Sequence, residues 1–163
     1  IYALDKGSGE WVLLRDVKPP FIPPERYSVV YFDNTKCPAC RKYDIYWYPF
    51  VKACVEDDDL RRFGFYIVLC EWFSGRCDSR EASETFTYFG IHASPTTIFF
   101  GCEGGEVIHH EKYEGVLTEV ELTLIIKGFR ERVDKARKGE KVEPPLKRED
   151  NLIDLLRKLL GGA

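Results

Sequence analysis

Two cysteines separated by two residues, Cys37-Pro38-Ala39-Cys40, follow the apolar run Val29-Val30-Tyr31-Phe32 and precede Arg41 to Cys54, a segment with enough aromatic and aliphatic residues for a buried helix. Paired thiols at the start of such a helix form a redox couple. A sulfur there faces unpaired backbone N–H groups and the positive end of the helix dipole, and both favour thiolate, the form that attacks disulfides. Two intervening residues in the first turn bring the second sulfur within disulfide reach of the first. Lys36 directly before the pair and Arg41 directly after it add positive charge that favours the thiolate, while Asp33 works against them. Pro38 lacks an N–H, which the first turn of a helix tolerates.

Zinc sites use the same spacing, so the rest of the chain must decide. About fifty residues downstream lies Tyr88-Phe89-Gly90-Ile91-His92-Ala93-Ser94-Pro95-Thr96-Thr97-Ile98-Phe99-Phe100. It resembles the segment of thioredoxins that runs from a helix end through Gly-Ile into a cis-proline and an apolar strand. Gly105-Glu106-Val107 resembles their hairpin turn, Gly115 matches their glycine near the active site, and Thr118 to Phe129 resembles their last helix. The likeness runs in order from roughly Tyr27 to Arg130. It implies an α/β chain with the thioredoxin fold, a central mixed β-sheet flanked by helices, carrying an N-terminal extension and a C-terminal helical extension.

The resemblance also implies roles. Cys37 is then the exposed nucleophile and Cys40 the buried resolving thiol, while the Ser94–Pro95 loop faces them and Ser94 pairs backbone to backbone with substrate. The implied activity is thiol–disulfide exchange with protein substrates, recharged by a reductase or oxidase partner. Electrons pass through the cysteines themselves, so no cofactor is expected, nor a metal. Reductase, oxidase and isomerase share these residues, and only potential and partners separate them. Two family features are missing: Tyr31 stands where thioredoxins carry a buried acid, and Lys36 where a tryptophan precedes the first cysteine. Glu71, at the end of the neighbouring strand, is the candidate replacement acid.

Four cysteines remain. Cys70 and Cys77 both fall near the active-site end of the sheet and are expected to bridge across the insertion Trp72 to Asp78. Cys54 and Cys102 fall toward the opposite end, where a disulfide would contribute roughly 3 to 4 kcal/mol in the chain-entropy model. The alternative for each is an ordinary buried thiol. His109 and His110 are adjacent on a strand and face opposite sides, which argues against a joint metal site. His92 lies in the loop before Pro95, in reach of the pair or of substrate.

Composition sets the frame. The chain has 163 residues, a net charge of -3, no Met, no Gln and only two Asn. The charge signs are interspersed, so there is no basic stripe for nucleic acid, and no apolar run approaches the length of a membrane span. The charged, amide-poor balance resembles hyperthermophile proteomes, in which intracellular disulfides are frequent. Cytoplasm is the expected compartment, with an exported mature form as the alternative.

Three stretches are expected: 1–26, an extension holding a first strand around Trp11 to Asp16 and a proline cluster; 27–130, the thioredoxin-like domain; and 131–163, a charged linker and an amphipathic helix. Strands are expected at Tyr27 to Asp33, Phe65 to Glu71, Thr96 to Phe100 and Val107 to Tyr113, and a helix at Ser79 to Phe89. Pro49 falls inside the helix after the cysteine pair and is expected to kink it. Leu152, Leu155, Leu156 and Leu159 form one helical stripe, suited to covering an apolar patch on its own domain or to pairing two copies of the chain. Two other classes compete with the redox reading. One is a non-catalytic binding module that holds a partner in the Pro95 groove or on the leucine stripe. The other is a structural zinc site of Cys37, Cys40, Cys70 and Cys77, whose C-x2-C then C-x6-C spacing is irregular.

Overall fold

The computed structural model describes residues 1–146; the leucine-stripe segment lies outside them. In chain order the elements are β1 (Tyr2–Asp5), β2 (Glu10–Leu13), β3 (Tyr27–Asn34), α1 (Pro38–Glu56), β4 (Gly64–Cys70), α2 (Arg80–Tyr88), β5 (Thr96–Glu103), β6 (Glu106–Glu114) and α3 (Glu119–Arg137). The strands form one mixed sheet in the order β2-β1-β4-β3-β5-β6. β3 runs parallel to β4 and antiparallel to β5, and the remaining pairs are antiparallel. This is the α/β architecture that the resemblance implies. No helix among the described residues is long and apolar enough to cross a membrane.

Alternation along β3 sorts its side chains onto two cores. Val29 and Tyr31 join the core shared with α1 and α3, while Val30 and Phe32 join the one shared with α2 and the N-terminal segment. A strand buried on both faces reads as a continuous apolar run, as this one does. α1 buries Cys40, Tyr43, Trp47, Phe50, Val51 and Cys54, a stripe at helical spacing that presses one face onto the sheet. Pro49 is exposed and lies within α1 without ending it.

The N-terminal extension contributes two strands where one is expected. β1 pairs with the edge of β4, and β2 folds back on β1 as a hairpin and becomes the outer strand, so the edge of β4 is covered. Phe21 from the proline-rich segment packs edge-on against Tyr66, and its backbone N–H donates to Thr85 Oγ1 at 3.0 Å, tying the segment to β4 and α2. At the other end, α3 continues to Arg137, past the expected boundary at 130/131. The charges there are the solvent side of a helix whose inner side still buries Val133. Thr118 and Glu121 form a capping box at its start, and Lys135 and Arg137 sit favourably in its last turn.

β5 and β6 meet through Gly104–Gly105, both at positive φ, the conformation a two-residue hairpin turn requires. Gly101 meets a different demand. A Cβ placed there would stand 2.5 Å from Val133 Cγ2, so the absence of a side chain lets α3 close on the sheet. Gly101→Ala is expected to cost about 1–3 kcal/mol in urea unfolding. Most of that cost should disappear when the same change is made in a Val133→Ala background, and equal costs in the two backgrounds would rule out this contact as the cause.

Candidate redox site

The site sits where β3 ends and α1 begins. Cys37 is the N-cap of α1, with extended backbone, and its sulfur accepts the Cys40 N–H at 3.1 Å. Pro38 follows in the first turn, where the missing N–H takes nothing from the helix. The Phe32–Thr96 register pair of β3 and β5 brings the loop before β5 alongside. Its Ser94–Pro95 peptide bond is cis. Ser94 touches both sulfurs: the Cys37 thiol donates to the Ser94 carbonyl oxygen at 3.5 Å, and Cys40 Sγ lies 3.0 Å from Ser94 Oγ. Gly115, just past β6, donates its N–H to the Pro95 carbonyl oxygen at 2.8 Å and holds the loop from behind.

Cys37 is not the exposed thiol that the resemblance implies. It is only 4% exposed and belongs to the core under α1, because its sulfur turns inward to the Cys40 N–H and the Ser94 carbonyl. Cys40 is fully buried, as expected of a resolving thiol. Burial, with the Cys37 hydrogen bond adding to it, pushes its pKa up, and the contact with Ser94 pulls the other way.

Of the two basic residues flanking the pair, Lys36 is exposed and Arg41 is committed elsewhere. Its guanidinium binds Asp33 Oδ1 at 2.6 Å and Asp44 Oδ2 at 3.1 Å, so its charge is balanced by carboxylates and is not free to favour a thiolate. Tyr31, in place of the expected acid, donates its hydroxyl to Asp44 Oδ1 at 2.9 Å and lies 3.1 Å from the Cys40 carbonyl oxygen. Its burial raises the phenol pKa, so it stays a hydrogen-bond donor. Glu71 is not the replacement acid: it is exposed and faces Arg76 Nη1 at 3.8 Å. The acids near Cys40 are Asp33 and Asp44, both raised by burial and both restrained by Arg41. Sequence reasoning missed Asp44, although its place one turn after Cys40 was a usable signal.

Cys70 and Cys77 form a disulfide that closes the insertion, which folds around a single 3-10 turn at Phe73–Gly75. Thr35 and Lys36 donate their backbone N–H groups to the Cys70 and Glu71 carbonyls, so this loop braces the approach to Cys37. With Cys70 and Cys77 bonded to each other, the four-thiolate zinc set does not assemble, and no metal-binding cluster occurs among the described residues. Cys54 and Cys102 are separate free thiols, not the second disulfide expected. The reason is the pleat: Cys54 lies in the core under α1, whereas Cys102 shares the parity of Ile98 and Phe100 and faces the opposite core. His92 is exposed in the loop, and His109 and His110 lie on opposite faces of β6, the first half-buried beside Phe129 and the second exposed beside Phe100.

Two outcomes follow from these environments. Burial pushes Cys54 up to about 12 and Cys102 up to about 11, so both are expected to resist alkylation in the native protein at pH 8 and to label once it is unfolded, read by peptide mass spectrometry. Asp33 titrates higher folded than unfolded, so its contribution to stability is full below the unfolded carboxylate value and declines as pH rises through the folded one. Arg41→Ala removes the charge that restrains this rise. It should cost on the order of 1–2 kcal/mol at pH 7, less than a fully buried pair because Arg41 is half exposed, and less again near pH 4 as Asp33 protonates. Unfolding curves at the two pH values check the sign; a cost that grows on acidification would exclude it.

No family profile and no curated protein sequence matches the chain. Among solved structures, it is similar to chloroplastic thioredoxin z, at 17% identity over 66% of this chain and 81% of that one, with a TM-score of 0.46. Similar too are the Fasciola hepatica thioredoxin, at 22% identity over 63% and 79% with a TM-score of 0.42, and the oxidised Plasmodium falciparum thioredoxin, at 18% over 64% and 82% with a TM-score of 0.44.

Proposed function

We propose that the protein exchanges disulfides with protein substrates, Cys37 attacking and Cys40 resolving. The observation that carries this reading is the placement of two free thiols in one helical turn, the first capping the helix and receiving the N–H of the second. That N–H is a fixed donor which stabilises a charged sulfur more than a neutral one. Attack by Cys37 on a substrate disulfide forms a mixed disulfide and releases one substrate thiolate. Cys40 then displaces the second, leaving Cys37 and Cys40 joined and the substrate reduced; the reverse sequence oxidises a dithiol.

The Ser94 carbonyl gives the substrate a place to bind. In the dithiol state it accepts from the Cys37 thiol. A Cys37 thiolate has no proton to donate, so ionisation frees that oxygen for a backbone N–H of an extended peptide. Recognition through the main chain tolerates many sequences, which suits protein substrates as a class. A second thiol–disulfide protein then returns the pair to its working state.

Equilibration against graded thiol–disulfide buffers, with the state of each cysteine read by differential alkylation, tests the reading. Cys37 and Cys40 are expected to titrate together, near about -270 mV for a reductant or near about -120 mV for an oxidant. Cys40→Ser should accumulate a covalent adduct with a disulfide substrate, and Cys37→Ser should form none. A pair that stays inert while other cysteines exchange would favour the non-catalytic binding module.

A further inference from the structure

Ser94 carries more than a backbone contact. Its hydroxyl lies 3.0 Å from Cys40 Sγ, its carbonyl oxygen 3.5 Å from Cys37 Sγ, and the loop that holds it is fixed by the Gly115 N–H on Pro95 and by Thr96 Oγ1, which donates to the Ala93 carbonyl at 2.7 Å. Cys40 is fully buried among apolar and aromatic groups. The nearby acids do not serve it: Asp33 is bound to Arg41, and Asp44 is occupied by Arg41 and the Tyr31 hydroxyl. Tyr31 reaches the Cys40 backbone carbonyl, not its sulfur. A buried sulfur that must become an anion needs donors: the Asn34 backbone favours the Cys40 thiolate, the Cys37 thiol opposes it, and Ser94 supplies a side-chain hydroxyl at hydrogen-bond distance.

We infer that the Ser94 hydroxyl is a catalytic group of the resolving step, donating a hydrogen bond to Cys40 Sγ as that sulfur loses its proton and attacks the mixed disulfide on Cys37. This rests on the exchange reaction proposed above. The Cys40 Sγ–Cys37 Sγ bond forms and the bond from Cys37 Sγ to the substrate sulfur breaks. The electron pair leaves on the substrate sulfur, so the substrate is reduced and the two cysteines are oxidised. The proton shed by Cys40 passes to solvent, and the departing substrate thiolate takes one up. Ser94 loses nothing; it stabilises the charge in transit, as donors aimed at developing charge do. One residue thus serves both half-steps, its carbonyl for the substrate backbone and its hydroxyl for the second thiol.

The test uses the full chain and Ellman's reagent, whose release of thionitrobenzoate reports two phases: attack by Cys37, then resolution by Cys40. Ser94→Ala keeps the backbone carbonyl that faces Cys37, so it is expected to slow the second phase far more than the first. It should slow the second roughly tenfold at neutral pH, the size of one hydrogen bond to a charged group, and move its pH profile up by about one unit. Ser94→Thr, which keeps the hydroxyl, should restore both rate and profile, separating a hydrogen-bond effect from loop damage. A second phase unchanged in Ser94→Ala, or slowed with no shift in its profile, overturns the inference and leaves the exchange reading standing. Absence of the first phase in the unaltered protein overturns both.

Discussion

The organising constraint is the double burial of β3. It is covered on both faces and hydrogen-bonded on both sides, parallel to β4 and antiparallel to β5. Its end is therefore a fixed point. The parallel partner sets Cys70 opposite Asn34 and so anchors the disulfide-closed insertion beside the site, while the antiparallel partner sets Thr96 opposite Phe32 and delivers Ser94 to the sulfurs. A slip of one residue in either pairing would turn Tyr31 and Val29 out of one core and Phe32 and Val30 out of the other. The precision of the sulfur contacts is inherited from this register and not from the loop itself.

A second layer of order comes from charge. Asp33, Arg41 and Asp44 place two carboxylates against one guanidinium at the edge of an apolar core. A third acid at position 31 would face both carboxylates with Arg41 alone to balance them among the described residues, and its ionised form would be strongly disfavoured. Tyr31 resolves the conflict. Its ring packs against Tyr43 and Trp47, and its hydroxyl offers Asp44 a donor without adding charge. The carboxylates thus stand at the strand end and on the helix, and a neutral group fills the interior between them.

Much of this was readable from residue order. The unbroken apolar run of β3, the stripe of α1, the helices begun at Ser79 and Thr118 and the β5–β6 hairpin each have a local signal that the structure realises. β1 had none, because three half-buried residues and one exposed one owe their conformation to the β4 edge they cover. The last two turns of α3 were hidden by their charges, since Val133 is the one residue there whose burial reveals an inner face. The Cys54–Cys102 expectation failed on information the sequence did hold: counting by twos from Ile98 places Cys102 with Phe100, away from α1. The contacts of Ser94 with the two sulfurs could not be counted at all, because they join residues more than fifty positions apart through a register set elsewhere.

The six cysteines show how far position outweighs residue type. Cys54 and Cys102 are enclosed on opposite faces of the sheet, where burial disfavours the thiolate and no second sulfur is in reach. Cys70 and Cys77 are joined across a surface insertion and act as a brace for the segment leading to α1. Cys37 and Cys40 alone combine free sulfurs, a shared helical turn, a backbone donor aimed at one sulfur and a hydroxyl beside the other. Only there does the fold give a thiol both a way to carry charge and a partner with which to form a bond. That conjunction, more than the C-x-x-C spacing itself, is what the proposed exchange chemistry rests on.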